Sequence, residues 1–369
     1  MTRTSPSLHR SSALAEGGSA PAHGTGPLTG AAAGRPAALP AALPAATALP
    51  ALAAFDFPVA VMASELKTDG STRVLAEAGE VDEIFPFASV TKPIVAWSAL
   101  VAVERGLLDL EAPAQPGEAR SMAGSCAVPA PAGSCAVPAP AGSCAVPAPA
   151  GSCAVPAPAG SCAVPAPALT GATVRHLLAH ASGIAFDSDA VLAVPGTRRI
   201  YSNRGIEILG ERLEEATATP LERWIETTVL EPLGMSSVLV PGSPAHSGEG
   251  SARDLAVFAR ELAAPRLISA DSAREATSVV FPGLDGILPG YGRQAPNDFG
   301  LGVEVRGRKR PHWTGTTSSP ATFGHFGQSG SFIWVDPEAR RQAVFLGARP
   351  FGRAHAAHWP ELSDQILAL

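Results

Sequence analysis

The distribution of apolar and polar residues predicts strands at both ends of the folded part of the chain. From residue 57 onward the runs PVAVMASEL and TRVLAEAG flank the turn sequence KTDGS, which predicts a β-hairpin with Asp69-Gly70 in its turn. Between residues 297 and 348, the runs FGLGVEVRG, SGSFIWVDP and RQAVFLGA predict three further strands. We therefore expect one sheet to receive strands from both ends of the domain.

The segments between those strands have the apolar spacing of helices. The run IVAWSALVAVERGLL predicts a buried helix that ends near Gly106. Helices are also predicted in TVRHLLAHASG, NRGIEILGERLEEATA, LERWIETTVLEPLG and residues 356–369, and Ser251 with Asp254 forms a capping-box pattern before LAVFARELAAP. This order predicts an α/β (α+β) fold: an antiparallel sheet flanked by helices, with an all-helical region inserted between two parts of the sheet.

Composition separates the folded part from the segment before it. Residues 1–54 consist mainly of Ser, Gly, Ala and Pro without an aromatic residue, so they bury too little apolar surface to offset chain entropy. We predict a disordered Ala/Pro/Gly-rich tail over residues 1–54 and a folded domain over residues 55–369. In that domain the sheet part is predicted over 55–97 and 252–369, and the helical part over 98–251.

One nonapeptide, AGSCAVPAP, occurs five times in succession over residues 123–167. With two prolines per nine residues and only valine as a large apolar side chain, it predicts a disordered insert rather than a packed repeat. The insert contains every cysteine of the chain: Cys126, Cys135, Cys144, Cys153 and Cys162. Their spacing without histidine partners is not typical of a zinc site, so we expect reduced thiols and no metal or other cofactor. A redox or metal device is the alternative.

Charge and hydropathy exclude several classes of protein. A net charge of −6 with 16% charged residues is not that of a polybasic nucleic-acid-binding protein. No run of eighteen uninterrupted apolar residues occurs, so no membrane-spanning helix is predicted. Residues 37–54 are apolar, but Pro40, Pro44 and Pro50 interrupt the helical core that a signal peptide needs. We therefore expect a cytoplasmic location, with the cell envelope left open.

The sequence SVTK contains the first candidate for chemistry. Residues three apart on a helix share a face, so Lys92 is expected beside the Ser89 hydroxyl. Pro93 is tolerated only in the first turn of a helix, which places Ser89 at a helix N-terminus, where N–H groups favour developing negative charge. A desolvated lysine can take the proton of a nucleophilic serine. The motif by itself leaves a solvated surface lysine as the alternative.

Two further motifs bring polar side chains to a loop and a strand. Tyr201 and Asn203 in YSN precede a predicted helix, and a tyrosine beside a cationic lysine can have a lowered pKa and exchange protons with a serine. Packing of Tyr201 and an N-cap role for Asn203 are the alternatives. His325 and Gly327 in GHFGQSG lie on a predicted strand, where glycine lets a substrate approach the backbone. A hydrogen-bonded structural histidine is the alternative there.

Five motifs in a fixed order resemble a known superfamily. FPFASVTKP, LLAHASG, PGTRRIYSN, LEPLGM and GHFGQSG stand in the order of the serine β-lactamases and penicillin-binding-protein-like enzymes. The chain is most similar to the branch of class C β-lactamases, D,D-peptidases and related esterases, with SxxK, YxN and HxG motifs. The resemblance runs from about residue 57 to residue 369, the repeat excepted. It implies the same fold, with the nucleophile where the sheet meets the helical region.

The resemblance implies roles for residues of this chain. Ser89 would be the nucleophile. Lys92 would orient it and accept its proton, and Tyr201 would be the partner base. Asn203 would bind the substrate amide or Lys92. The backbone N–H groups of Ser89 and Gln328 would form the oxyanion hole.

The third motif departs from the enzymes that act on charged substrates. His325 and Gly327 occupy this motif, whereas His180 in LLAHASG matches a structural motif and is not expected to be catalytic. Enzymes that act on β-lactams or D-Ala-D-Ala peptides usually have lysine at the position of His325, where it helps to hold a carboxylate. An imidazole with a pKa near ~6.5 is mostly neutral at pH 7, which favours an ester or an uncharged amide.

The sequence therefore predicts a serine hydrolase that forms an acyl-enzyme at Ser89 on a small ester or amide, in the manner of an esterase. A D-alanyl-D-alanine carboxypeptidase or a class C-type β-lactamase is the alternative within the superfamily. A catalytically silent peptide-binding module, or an interaction segment in the repeat, belongs to another class. The predicted partner is a small ester or amide, with neither nucleic acid nor a membrane.

Overall fold

The computed structural model describes residues 48–115, 169 and 171–369, which belong to one compact unit. The strands are β1 (Val59–Leu66), β2 (Thr72–Gly79), β3 (Phe85–Pro86), β4 (Glu249–Gly250), β5 (Gly286–Leu288), β6 (Gly292–Gln294), β7 (Glu304–Val305), β8 (Phe323–Gly327), β9 (Ser331–Asp336) and β10 (Arg341–Gly347). The helices are α1 (Thr91–Glu104), α2 (Val174–Leu178), α3 (Asn203–Thr217), α4 (Leu221–Ile225), α5 (Glu231–Leu233), α6 (Ala252–Ala263), α7 (Ala270–Ala276) and α8 (Arg353–Ala368). Single helical turns cover Pro50–Ala54, Ala88–Val90 and Glu226–Leu230.

Six strands form one antiparallel sheet in the order β2-β1-β10-β9-β8-β7. β1 pairs on one side with β2, its hairpin partner, and on the other side with β10, near the end of the chain. The Asp69 carboxylate accepts hydrogen bonds from the N–H and the hydroxyl of Ser71, which closes the predicted turn. The two ends of the domain therefore share one sheet, and the predicted fold class is confirmed.

Alternate residues of β1 contact helices on opposite faces of the sheet. Met62 belongs to the apolar cluster that contains Phe258 of α6, whereas its neighbour Val61 belongs to the cluster of Trp359 on α8. On the α6 side, α1 is buried at every position from Thr91 to Ala102, as expected for a helix covered all round. The helix that follows Ser89 is thus held rigidly in the core.

The ordered domain begins earlier than the predicted boundary at residue 55. Leu49 has no exposed surface, and the N–H of Ala51 donates to the Gln365 side chain at 3.0 Å. The prediction of disorder is wrong for residues 48–54, because a few apolar side chains here pack on α8. Residues 1–47, the rest of the predicted tail, lie outside the described residues.

Two local predictions are only partly correct. The Ser251 hydroxyl accepts the N–H of Asp254, but the Asp254 carboxylate accepts the N–H of Ser237 at 2.7 Å instead of completing the capping box. The strand predicted in FGLGVEVRG is confined to β7, because Gly302 has a φ of +83° and this left-handed backbone cannot continue a strand.

The nonapeptide repeat, residues 123–167, also lies outside the described residues. Its described flanks pair with each other: the N–H of Ala114 donates to Ala172 at 2.8 Å, and Pro113 faces Thr173 in an antiparallel bridge. The chain thus leaves and re-enters the domain at one place, which suits an insert in a loop. In the part of the chain that the structure describes, no helix has both the length and the apolar character to cross a bilayer.

A buried ionic cluster supports the edge of the sheet that carries His325. Glu304 on β7 pairs with Gly324 on β8, and its carboxylate accepts hydrogen bonds from Lys309 at 2.7 Å, His312 at 2.9 Å and the Trp313 indole at 2.8 Å. Burial opposes ionisation of Glu304, but Lys309 and His312 outweigh it and hold the pKa of this carboxyl well below its usual range. The buried Glu304 carboxylate is thus neutralised by a neighbouring lysine and hydrogen-bonded at both of its oxygens.

Removal of one member of this cluster is expected to destabilise the domain strongly. Glu304→Ala leaves the buried Lys309 without its counter-charge, which costs about 3–5 kcal/mol in the free energy of unfolding. Urea denaturation followed by circular dichroism measures the loss. The matched control is Glu338→Ala at an exposed position, where a change within about 0.5 kcal/mol is expected. Equal stability of the two variants would contradict the importance of the cluster.

Candidate active site

The backbone around Ser89 is held in an uncommon conformation. Ala88, just before it, has a φ of +45°, in the left-handed region that non-glycine residues seldom adopt. The Thr91 hydroxyl donates to the Ala88 carbonyl at 2.7 Å and accepts the N–H of Gly248 at 2.8 Å. Ser89 lies in the turn that leads into α1, at the helix start that Pro93 predicted, and its side chain is partly exposed. Its hydroxyl is therefore both fixed in position and accessible.

Lys92 brings three parts of the chain together. Its Nζ lies 3.0 Å from Ser89 Oγ, 2.7 Å from Asn203 Oδ1 and 2.8 Å from the carbonyl oxygen of Ala245. The side chain has no exposed surface. The expected contact between Ser89 and Lys92 is therefore present, and the alternative of a solvated lysine is wrong.

The hydrogen-bond partners determine which way a neutral Lys92 amine is oriented. A neutral amine has two N–H groups and one lone pair. The Asn203 and Ala245 oxygens can only accept, so each of them takes one N–H. Ser89 Oγ is the only one of the three partners with a proton to give. The lone pair of the neutral amine thus faces the serine hydroxyl, as proton abstraction requires.

Burial makes the neutral amine accessible near physiological pH. Desolvation lowers the pKa of Lys92 to about 7, and the nearby Glu207 carboxylate only partly opposes this shift. Glu207 lies one turn after Asn203 on α3, and it also accepts a hydrogen bond from Ser243 in the loop that supplies Ala245. The free amine is therefore available to accept a proton near neutral pH.

Tyr201 adjoins this amine, but its acidity differs from the prediction. Lys92 Nζ lies 4.8 Å from the centre of the Tyr201 ring. Burial raises the pKa of the Tyr201 phenol well above its usual value, and its interaction with the Ser89 hydroxyl opposes this only in part. The lowered pKa that the sequence suggested is not found, because desolvation outweighs the hydrogen bond with Ser89. Tyr201 is a neutral phenol in the free protein.

His325 is present as a neutral imidazole with one proton already committed. Its Nδ1 lies 2.7 Å from the Phe326 carbonyl oxygen, which can only accept, so Nδ1 carries the hydrogen. Burial lowers the pKa of His325 to about 4, and the positive charge of Lys92 acts in the same direction. Its Nε2 is buried without a hydrogen-bond partner among the described residues, and its ring centre lies 5.7 Å from that of Tyr201. The third motif therefore contributes no positive charge.

The turn after β8 lies against the Ser89 backbone. A Cβ atom on Gly327 would lie 2.2 Å from the Phe87 oxygen and 3.1 Å from the Ser89 nitrogen, so only glycine fits there. The Ser331 hydroxyl donates to that same Phe87 oxygen at 2.7 Å. Within the described ranges, neither the N–H of Ser89 nor that of Gln328 donates to a backbone acceptor outside regular structure. These two N–H groups are therefore the candidate donors of the oxyanion hole.

Sequence reasoning missed two supports of this site. The Ala245 carbonyl has no side-chain signature, and only its place in the loop before β4 brings it to Lys92. Arg199 is buried and donates to the carbonyls of Ala179, Val280, Phe281 and Asn297. These bonds tie the segment of Tyr201 to the loops that precede β7. The repeated arginine in PGTRRIYSN was the available signal, but it does not reveal which arginine is buried.

His180 lies behind Tyr201 and has a structural contact of its own. Its ring centre is 4.5 Å from that of Tyr201, and its Nδ1 accepts the N–H of Ser202 at 3.3 Å. Ser202, not Asn203, is the N-cap of α3, since its hydroxyl accepts the N–H of Gly205.

In the described part of the chain, no three His, Cys, Asp or Glu side chains are grouped as metal ligands.

The family model named Beta-lactamase matches residues 68–366, which include all of the motifs described above. The chain belongs to this family. The recognition made from five short motifs is thereby confirmed, and so is the fold that it implied. The matched residues include every strand from β2 to β10 and every helix from α1 to α7.

Solved structures of this fold include a β-lactamase from Mycobacterium bovis, which is 40% identical, with 87% of this chain and 98% of that chain covered and a TM-score of 0.70. A hydrolase with promiscuous acyltransferase activity, EstCE1, is 16% identical, with 86% and 96% covered and a TM-score of 0.59, which shows the common fold alone. A protein named "Putative D-alanyl-D-alanine carboxypeptidase" from Salmonella paratyphi B is 29% identical over 201 residues, 42% of this chain. The match spans less than half, 46%, of that relative's length.

The protonation state of Lys92 is expected to control the reactivity of Ser89. Below pH 7 the amine is protonated and has no lone pair, so labelling of Ser89 by a fluorophosphonate should be slow, and it should rise with a midpoint of about 7. Intact mass measured at timed intervals across a pH series gives this profile. Lys92→Arg should slow the labelling at least about 100-fold.

The matched control for that experiment is Lys67→Arg, at an exposed lysine of the first hairpin, which should keep both rate and profile. A labelling rate independent of pH between 5 and 9 would show that Lys92 is not the base. Labelling that persists in Ser89→Ala would show that another residue reacts.

Proposed function

We propose that this protein is a serine hydrolase that forms an acyl-enzyme at Ser89 on a small, uncharged ester or amide. The observation that carries the proposal is the contact of a fully buried Lys92 amine with the Ser89 hydroxyl, in which two carbonyl acceptors fix the orientation of the amine. Membership of the Beta-lactamase family supports the same reaction class. The related structures and the Salmonella relative have names of hydrolases with different substrates, so they do not distinguish one substrate class from another.

In the acylation step, Lys92 removes the Ser89 proton while Oγ attacks the carbonyl carbon. The carbonyl π electrons move to the oxygen, and the resulting oxyanion accepts hydrogen bonds from the N–H groups of Ser89 and Gln328. Collapse of this intermediate breaks the bond to the leaving group. Tyr201 donates its proton to the departing atom and receives the proton that Lys92 holds, so that the phenol is neutral at the end, in agreement with its raised pKa.

Deacylation uses the same residues in reverse. Water enters the place that the leaving group has vacated, and its proton passes to Lys92, directly or through the Tyr201 hydroxyl. The hydroxide so formed attacks the acyl carbonyl, and the second oxyanion is again bound by the two backbone N–H groups. Ser89 then recovers its proton from Lys92 as the acid product leaves. No step in this cycle needs a permanently charged residue.

The charge of the third motif favours an uncharged substrate. Enzymes that act on D-Ala-D-Ala peptides usually have a lysine in the third motif that helps to hold the terminal carboxylate, and the buried, neutral His325 does not provide this charge. The name of the Salmonella relative is the observation that favours this second candidate. Its match with this chain is partial, so we give more weight to the charge of the site.

The cellular location and the other partners stay predictions from the sequence. We propose the cytoplasm as the location and a small molecule as the partner. A reporter fusion to alkaline phosphatase, active only when exported, tests the location. Exported activity would favour the envelope and would strengthen the carboxypeptidase candidate.

A substrate panel tests the proposed function. Ethyl acetate and p-nitrophenyl acetate should be hydrolysed, with kcat/KM at least about 100-fold above that for a D-Ala-D-Ala peptide, because the site lacks a carboxylate-binding cation. Ser89→Ala should lose hydrolysis and the acyl adduct in intact mass spectra. A preference for the peptide would support the carboxypeptidase instead. A folded protein that hydrolyses nothing and labels with no probe would support the silent binding module.

The turn at Gly327 tests the oxyanion hole separately from the nucleophile. Gly327→Ala places a methyl group against the Phe87 oxygen and displaces the Gln328 N–H from Ser89, which should lower kcat about 100-fold. Ester hydrolysis gives kcat, and a thermal melt reports whether the variant is folded. Gly106→Ala is the control at a distant glycine, since no atom lies within 4 Å of the new methyl group there and any loss of stability comes from the positive φ of Gly106 alone. An unchanged kcat in Gly327→Ala would argue against these donors.

A further inference from the structure

Exposed apolar side chains surround a cavity next to Tyr201. The cavity has a volume of about 290 Å³, and its lining includes Phe186, Leu192, Ile287 and Tyr201 itself. The first three are exposed by 48%, 62% and 53% of their surface. Scattered apolar residues on a surface are ordinary, but a group of them around one concave site is typical of a binding site.

The walls of this cavity are fixed to the candidate active site. The Phe186 carbonyl accepts the N–H groups of Asn203 and Arg204, and the Phe186 ring stacks on Tyr201 with their centres 6.1 Å apart. The N–H of Leu192 donates to Gly183 at 2.8 Å. On the other side, Gly286 next to Ile287 pairs with Arg199 in a parallel bridge. The cavity is therefore a built part of the site rather than a gap between loose loops.

The charged residues of the lining do not make the interior of this cavity polar. The guanidinium of Arg199 is buried and already donates to backbone carbonyls, so it is not free to bind a ligand. Arg198 is exposed to water and lies near the Asp285 carboxylate, whose pKa it helps to lower. A ligand inside the cavity would thus meet mostly hydrocarbon and aromatic surface.

The role of Tyr201 decides which part of an ester this cavity would hold. The group that protonates a leaving alkoxide must lie next to the departing oxygen. In the proposed mechanism that group is the Tyr201 hydroxyl. In the same mechanism the acyl carbonyl lies at the N–H groups of Ser89 and Gln328, next to Gly327, whose Cβ position is 3.1 Å from the Ser89 nitrogen. The alcohol part of the substrate then extends along Tyr201 into the cavity.

We propose that the cavity of Phe186, Leu192, Ile287 and Tyr201 binds the apolar alcohol part of the ester, so that the protein prefers esters of alcohols with an apolar chain of several carbons. The inference rests on the proposed function for its choice of the leaving-group side. Each methylene buried there should raise kcat/KM, by up to about fourfold for complete burial. Because the cavity is open to water, we expect a total gain of at least about tenfold over four methylenes.

Two series of esters test this proposal in the full-length protein. Acid release, followed by titration at constant pH, gives kcat/KM for ethyl, butyl and hexyl acetate and for ethyl acetate, butanoate and hexanoate. The hexyl to ethyl acetate ratio should be at least about ten, and it should exceed the corresponding ratio for the acyl series. A gain confined to the acyl series, or a ratio near one in both, overturns the proposal.

A matched pair of variants assigns the effect to the cavity. Leu192→Asp should lower the hexyl to ethyl ratio at least about fivefold, because a carboxylate replaces apolar wall. Leu239→Asp is the control, since Leu239 is exposed to a similar extent, 53%, and lines a different cavity. Equal ratios in the two variants overturn the proposal.

A binding measurement separates this inference from the proposed function. Saturation-transfer NMR with 1-hexanol needs no catalysis and should detect binding to the unmodified protein and to Leu239→Asp, but not to Leu192→Asp. If no ester is hydrolysed and Ser89 takes no fluorophosphonate, the proposed function fails, whereas hexanol binding that depends on Leu192 still supports the apolar subsite. Hexanol binding that is equal in all three proteins overturns the subsite even when hydrolysis is observed.

Discussion

A buried lysine amine with three hydrogen-bond partners is the interaction on which the candidate site depends. Lys92 has no exposed surface, and its partners lie on α3, in the loop before β4 and at Ser89. An ammonium group in such a place loses hydration, which lowers its pKa to about 7 and makes the free base available. The sheet and the helical region must both close around this one side chain for the site to exist.

The same desolvation determines the charge of the neighbouring groups. It keeps the Tyr201 phenol protonated and, together with the charge of Lys92, it keeps the His325 imidazole unprotonated. The three motifs therefore supply one titrating base and no permanent cation, and the nearby Arg199 guanidinium is already bound by backbone carbonyls. This balance explains why the chemistry proposed here moves protons between neutral groups, and why an uncharged ester suits the site better than a carboxylate.

The residues around the site are held by polar groups that are satisfied inside the protein. Glu304 and its partners stiffen the edge of the sheet beside His325, and Arg199 joins the segment of Tyr201 to the loops before β7. Buried charges of this kind persist only when every partner is present. They keep the apolar cavity and the nucleophile in a fixed relation without contacting a substrate themselves.

The sequence by itself determined the features that depend on neighbours along the chain. The hairpin with Asp69-Gly70, the helix after Pro93 and the spacing of Ser89 and Lys92 follow from periodicity, turn chemistry and one helical turn. The order of the motifs was enough to identify the family. Only the tertiary structure decided that Lys92 reaches Asn203 and Ala245, which are 111 and 153 residues away, and that burial raises the pKa of Tyr201. Desolvation and the approach of a backbone carbonyl depend on how distant segments pack, and no local pattern of residue types records that.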